Sequence, residues 1–273
     1  MAEAAERFSD MSKYMTKLAQ QKNQFYVEER NMLSVAYKNL VGARRSSWRT
    51  CRGLASAPGY YTGLDQECVS EMQKKVEREI EQLSNEVSTV AEQLLSTNDG
   101  ADNKVWGWDM LGSLLQCELP RRCNKCLLKS VFENGCAAKC ISLCSLINFC
   151  CFCSQVFYAK MIGDYSKYRA EILAPGTPAR NKLAIKATKF YGQALKASNA
   201  LHAAHPTRLA VYFNYSTFLF DVAKKSKEAC DLAVKGFDAA IGELDSMNQS
   251  YYKDSTLILG LIRDNLASWR SRY

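Results

Sequence analysis

Between residues 69 and 95 the apolar positions are Val69, Met72, Val76, Ile80, Leu83, Val87, Val90 and Leu94, with mostly polar residues in the intervals. Their steps of 3, 4, 4, 3, 4, 3 and 4 follow the helical turn and predict a long amphipathic helix with one apolar stripe. Residues 27–49 read as a second helix, with Met32, Leu33, Ala36, Leu40 and Val41 inward. Helices are also predicted over 156–173, 180–202 and 206–224. The run Ala174-Pro-Gly-Thr-Pro178 separates two of them, and His205-Pro206 opens another. Residues 227–244 gather Ala229, Leu232, Ala233, Phe237, Ala240, Ile241 and Leu244 on one face. Residues 254–270 do the same with Leu257, Ile258, Leu261, Ile262, Leu266 and Trp269. No segment alternates with period two. The expected fold class is all-α, an array of about nine antiparallel helices joined by short connections.

Two segments break the pattern. Residues 50–64 contain Gly and Pro with no period and read as a loop, and residues 105–155 change composition abruptly.

Composition narrows the function classes. The 273 residues include only 14 Gly and 5 Pro, which argues against turn-rich all-β folds and collagen-like repeats. With 47% apolar and 23% charged residues, the chain reads as an ordinary globular protein. Two histidines, His202 and His205, leave little for a His-based metal site or general base. A net charge of +8 is mild for this length and falls short of a nucleic-acid-binding signature. The polar start MAEAAERFSD has no apolar core and does not read as a signal peptide. The expected location is the cytoplasm, with the nucleus also accessible, and the thiols reduced.

Lys38, Arg45 and Arg49 stand at i, i+7 and i+11 and fall within about 40° on one helix face. Arg45 and Arg49 form a like-charge i, i+4 pair, which costs a few tenths of a kcal/mol unless an anion sits between them. Two guanidiniums and an ammonium on one face suit a phosphate dianion, because arginine presents a planar fork of donors. The same pattern also fits a solvated basic face. A second stripe, Leu257, Leu261, Asn265 and Ser268, sets an amide among apolar groups. Such an amide can clamp a peptide backbone as donor and acceptor, or be an interior asparagine satisfied within the protein. A cationic wall facing an apolar, amide-bearing wall suits an extended phosphopeptide.

Longer motifs then carry a resemblance. EERNMLSVAYKNLVGARRSSWR at 28–49 and YYKDSTLILGLIRDNLASW at 251–269 closely resemble helices of the 14-3-3 family. So do VFYAKMIGDYSKYRAEI at 156–172, HPTRLAVYFNYSTFLFD at 205–221 and EACDLAVKGFDAAIGELD at 228–245. The likeness covers roughly residues 2–49, 65–104 and 156–270. It implies a nine-helix, cup-shaped protomer in a two-fold dimer, with a groove that binds phosphoserine or phosphothreonine segments of client proteins. By motif, the phosphate pocket would be Arg45, Arg49, Lys167 and Tyr168, with Lys38 beside it. Asn214 and Asn265 would bond the ligand backbone, Leu257, Ile258, Leu261 and Trp269 would form the apolar wall, and Asp221 would lie on the polar side. Across the dimer, Arg7 would face Glu79 and Asp10 would face Lys75, with Ala5 and Met72 in the apolar part. A homodimer or a heterodimer with a paralogue is implied. No enzyme chemistry, cofactor, nucleic-acid partner or stable membrane insertion is expected.

The chain departs from the family pattern in four places. Lys167 stands where the GDYxRY motif has arginine, keeping the charge and losing the fork. The first helix lacks its usual first turns, and residues 50–64 are rebuilt. There is no acidic C-terminal tail, and the net charge of +8 contrasts with a normally acidic family. Weaker phosphate binding and a weaker dimer are expected.

Residues 105–155 interrupt the likeness cleanly: joining Lys104 to Val156 gives NDGADNKVFYAKMIGDY, which reads straight through. These 51 residues correspond to 153 nucleotides. Val105 has a codon beginning GT, Gln155 can be encoded by CAG, and Phe149-Cys-Cys-Phe-Cys-Ser154 implies pyrimidine-rich codons. The segment therefore reads as a retained intron translated in frame, expected to form a poorly packed loop. It holds nine of the twelve cysteines, from Cys117 to Cys153. Cys123, Cys126, Cys136 and Cys140 have zinc-ligand spacing, a weaker alternative because the other cysteines fit no single framework. Residues 140–159 are uncharged over a membrane-span length, but Ser142, Ser145, Asn148, Ser154 and Gln155 dilute them. The leading function is a phosphopeptide-binding adaptor. The alternative is a phospho-independent helical scaffold, which Lys167 favours, or an impaired 14-3-3-like product.

Overall fold

A computed structural model describes residues 2–56, 63–99 and 137–271. Among these there are eight α-helices and no strand. They are α1 (Phe8–Gln21), α2 (Val27–Ala55), α3 (Gly63–Asp99), α4 (Ala137–Ile172), α5 (Pro178–Ser198), α6 (Pro206–Asp221), α7 (Ser226–Glu243) and α8 (Gln249–Arg270). A 3-10 turn, Leu244–Ser246, precedes α8. The all-α expectation holds.

Local chemistry sets several helix starts. The Glu29 carboxylate accepts the Tyr26 backbone N–H at 2.9 Å and supports the first turn of α2. Thr177 caps α5 by accepting from Arg180 N at 3.3 Å, with Pro178 at the first helical position. His205 Nδ1 accepts from Thr207 N at 3.1 Å ahead of Pro206, and burial pushes its pKa down, which keeps the ring neutral and able to accept. Asn248 Oδ1 accepts from Ser250 N at 2.9 Å at the start of α8. Gly176 turns the α4–α5 loop at φ +81, a conformation that glycine adopts without strain.

Helices α1 to α4 pack in sequence and share one core, which includes Leu33, Tyr37, Ile80, Val87, Leu94, Tyr158 and Ile162. A second core joins α5 to α8 around Ala187, Tyr191, Leu209, Phe218, Ala233 and Ile262. Helix α4 enters both, through Tyr158, Ile162 and Tyr165 on one side and Ala170 on the other. It packs on α3, α5 and α6, so groups on its inner face meet both halves of the array.

Three boundaries differ from the sequence reading. Residues 50–55 continue α2, and α3 starts at Gly63, so the loop expected over 50–64 is shorter at both ends. Burial explains the extension, since Trp48 and Cys51 face inward and Trp48 Nε1 donates to Glu77 Oε1 on α3 at 2.9 Å. Helix α4 begins at Ala137 rather than near 156, so residues 137–155 are helical instead of forming a loose loop. Cys153 and Ser154 are buried, and Cys153 packs with Val156, Ala159, Ala194, Leu201 and Val211. Met32, Met72 and Ile241, expected on inward faces, are exposed at the margins of their stripes. Among the described residues no helix is long and apolar enough to cross a membrane. Cys123, Cys126 and Cys136 lie outside the described residues, as does the side chain of Cys140.

Candidate functional site

The site is built where side chains of α2 reach α4. Arg45 donates to Glu171 Oε2 from both Nε (3.2 Å) and Nη2 (2.6 Å). Its guanidinium carbon lies 3.9 Å from the centroid of the Tyr168 ring. A carboxylate on one edge and an aromatic face beneath hold the fork in one orientation. Burial, followed by the charge of Asp164, pushes the Tyr168 phenol well above its ordinary pKa, so its hydroxyl remains a donor. Arg49 is close enough to act on that phenol and is itself exposed on the next turn of α2.

Lys167 is buried, and burial is the main reason its ammonium pKa is lowered. Glu171, Asp164 and Asp221 oppose that shift, while Arg45 adds to it. Among the described residues Lys167, Arg49 and Lys38 make no ion pair, so Glu171 is the one carboxylate bonded to this cationic group. Lys38 is exposed two turns earlier on α2. Lys38, Arg45 and Arg49 share one helix, α2, and Lys167 and Tyr168 of α4 lie beside Arg45.

Beneath them lies Asp164, which the sequence reading did not single out. It is buried and accepts from Tyr191 Oη (2.6 Å), Lys160 Nζ (2.8 Å) and Asn214 Nδ2 (2.9 and 3.1 Å). Three donors from α4, α5 and α6 satisfy a carboxylate that would otherwise be costly to bury. The spacing of Lys160, Asp164, Lys167 and Glu171 at i, i+4, i+7 and i+11 is the signal that could have revealed this ladder on one face of α4. Asn214, expected to bond a ligand backbone, already spends its N–H group on Asp164 and keeps its carbonyl oxygen for other partners.

The residues expected to form an apolar wall lie on α8. Leu257 and Leu261 are 67% and 43% exposed, an unusual waste of apolar surface unless something covers them. Ile258 is partly buried in the second core. Asn265 Nδ2 donates to Thr217 Oγ1 on α6 at 3.3 Å. Trp269 is buried, and its ring stacks on Phe220 at 4.6 Å and 11°, so it supports the wall from within. Asp221 is exposed at the end of α6 and contributes its charge near Lys167.

The expected dimer residues are on the surface, with partners inside the chain. Ala5, Lys75 and Met72 are exposed, Arg7 pairs with Asp10, and Glu79 accepts from Arg44 Nε at 3.1 Å. A cleft of 370 Å³ lies between the start of α1 and α2, lined in part by Arg7, Phe8, Asp10, Leu40 and Arg44.

The family model described as 14-3-3 protein matches residues 1–116 and 130–270. The chain is similar to 14-3-3-like protein 1 of Caenorhabditis elegans, with 34% identity over 274 aligned positions, 99% of this chain and 88% of the relative. It is similar to 14-3-3 protein zeta of Bombyx mori, with 35% identity covering 99% of this chain and 89% of that protein. A third relative, 14-3-3 protein homolog 2 of Echinococcus granulosus, is 34% identical, with 99% and 88% covered.

Proposed function

Because the chain belongs to the 14-3-3 family, we propose that it is an adaptor rather than an enzyme, binding phosphoserine or phosphothreonine segments of client proteins between α2, α4 and α8. The observation that carries this reading is the set Arg45, Arg49, Lys167 and Tyr168, in which Glu171 is the one carboxylate bonded to the cations among the described residues. A phosphate dianion would take the fork of Arg45 left free by Glu171, the exposed guanidinium of Arg49 and the ammonium of Lys167. The Asn214 carbonyl oxygen would accept from the ligand backbone, and Leu257 and Leu261 would cover its apolar side chains.

The functional unit is a two-fold dimer, homomeric or with a paralogue, in which the first turn of α1 meets α3 of the partner. It works in the cytoplasm. Residues 105–155 are an addition to one domain made of 1–104 and 156–273.

A second reading, a phospho-independent scaffold, draws on Lys167, a buried point charge without the fork of an arginine. Fluorescence anisotropy with one peptide in phosphorylated and unphosphorylated form separates the two. Tight binding of the phosphorylated form alone supports the adaptor. Equal affinity for both forms overturns it in favour of the scaffold.

A further inference from the structure

We infer that the outer face of α5 is a docking surface for an anionic lipid bilayer. Between Glu171 and Asp221 the chain has no acidic residue, while Arg180, Lys182, Lys186, Lys189, Lys196 and Arg208 contribute six positive charges. Six of the net +8 therefore fall in residues 172–220.

Helix α5 sorts these charges. At about 100° per residue, Lys182, Lys186, Lys189 and Lys196 fall within an arc of about 80°, and Ile185 lies at its edge. The opposite side of the helix carries Ala187, Tyr191, Ala194 and Ser198, all buried. From Lys182 to Lys196 the row extends about 21 Å at the helical rise. Lys182, Lys189 and Lys196 are exposed and make no ion pair among the described residues. Lys186 alone reaches a carboxylate, Glu92 on α3 at 2.5 Å. Lys182 and Lys186 are a like-charge i, i+4 pair, a repulsion that Glu92 offsets at Lys186 and nothing described offsets at Lys182. At the edge of the row, next to Lys186 in sequence, Ile185 is 71% exposed, as open to solvent as any large apolar side chain among the described residues.

The shape and chemistry of the row select the partner. The exposed lysines line one outer face of a single helix over about 21 Å, a length that suits a broad surface rather than a small ligand. Lysine offers point charges without bidentate geometry, which suits a fluid layer of anionic headgroups. Ile185 supplies an apolar tip that an interfacial helix buries at the headgroup–acyl boundary. No aromatic ring is exposed on this face to stack a nucleic-acid base, and Phe190 is only partly exposed beneath Lys189, 5.7 Å from its ammonium. Tyr191, on the inner side of α5, bonds Asp164 under the candidate groove. A bilayer on the row therefore leaves the groove facing away from it.

The test uses the full chain and sucrose-loaded vesicles of phosphatidylcholine, with or without phosphatidylserine, in a sedimentation assay. Binding should require phosphatidylserine and fall as salt rises from about 0.1 to about 1 M. K182Q/K189Q/K196Q should weaken it about a hundredfold, near fivefold per lysine, and Ile185→Ala by a few-fold. All four positions are exposed, so thermal midpoints and phosphopeptide affinity should stay unchanged, and K189Q alone serves if the triple variant melts early. The inference is overturned by equal binding to both vesicle types, by no binding to either, or by vesicle binding that the lysine variants leave intact. It is also overturned if RNA or poly-glutamate displaces the protein from vesicles and Ile185→Ala changes nothing, since the row would then serve a soluble polyanion.

Discussion

Arg30 on α2 donates through Nη1 to the hydroxyl of Ser154 on α4 at 2.7 Å, although the two are 124 residues apart. Arg30 is 7% exposed, its guanidinium lies 4.9 Å over Phe157, and its Nε has no hydrogen-bond partner among the described residues. Ser154 is thus one of few groups stabilising a buried charge where α4 enters the first core.

Ser154→Ala should cost about 1–3 kcal/mol, the scale for stranding a buried donor, and a melting curve will show it. Deleting residues 105–155 moves Asn103 into the register of Ser154 and Asp102 into that of Cys153. An amide and a carboxylate then replace a hydroxyl and a thiol beside Arg30. The shortened chain should melt no lower than the full one, and Asp102→Ala within it should lower the midpoint. A clear fall on deletion would count against reading 105–155 as an addition to the domain. Transcript sequencing is the parallel check: mature messages that uniformly carry the 153 nucleotides rule out a retained intron.

Arg49→Glu should weaken phosphopeptide binding by about ten- to a hundredfold, the loss of a charge-assisted bond, without changing the melting midpoint. Arg49 is exposed and unpaired among the described residues, so its reversal touches the ligand alone. Arg45→Glu should abolish binding and also destabilise the fold, because it sets a carboxylate against Glu171. Unaltered affinity in both variants sinks the groove assignment.

Lys167 makes the site sensitive to alkali. Its pKa is depressed from the ordinary 10.5, mainly by burial. The unfolded state therefore binds more protons in the interval between the folded value and 10.5. Stability gains from this group as pH rises through that window, while phosphate binding loses a charge there. Phosphopeptide affinity should thus fall on the alkaline side at a lower pH than an ordinary lysine would give. Lys167→Arg stays charged, should remove that limb and should tighten binding at neutral pH. Anisotropy titrations of both proteins will decide; weaker binding by the arginine variant would show that Lys167 is not a compromised ligand.

Gly163 lets Tyr191 reach Asp164. A methyl group at Gly163 would stand 2.9 Å from the Tyr191 ring, closer than carbon atoms tolerate. Gly163→Ala should therefore cost about 1–3 kcal/mol and displace the hydroxyl that donates to Asp164 at 2.6 Å. Tyr191→Phe keeps the ring and loses only that bond, so it should be milder in thermal denaturation. Equal stability of Gly163→Ala and the parent would contradict this packing.

The dimer should be weaker than is usual for the family. Exposed ion pairs are worth about 0–1 kcal/mol each, and Arg7 and Glu79 already have partners in their own chain, Asp10 and Arg44. Arg7→Glu should raise the dissociation constant, and adding Glu79→Arg should partly restore it, as read by analytical ultracentrifugation over a dilution series. A chain that stays monomeric at tens of micromolar, about the range of a weak interface, refutes the dimer.

Helix type was legible because the apolar steps along 69–95 and 227–244 fit one period and no other. The basic triad was legible because Lys38, Arg45 and Arg49 share one helix, and spacing along one helix fixes direction. What spacing could not supply was the partner brought by another element. Trp48 reaching Glu77 carried α2 six residues past its predicted end. Glu171 and Tyr168 orient Arg45 from a helix more than a hundred residues downstream. Asp164 looks like any polar residue in its motif until donors from α5 and α6 close on it. Trp269 and Leu257 share an apolar stripe, yet Phe220 on α6 covers one and nothing described covers the other. Sequence alone determined which side chains each helix presents together. Tertiary packing alone decided which of those charges are paired and which remain for a ligand, because the energy of a buried charge depends on its neighbours across the fold.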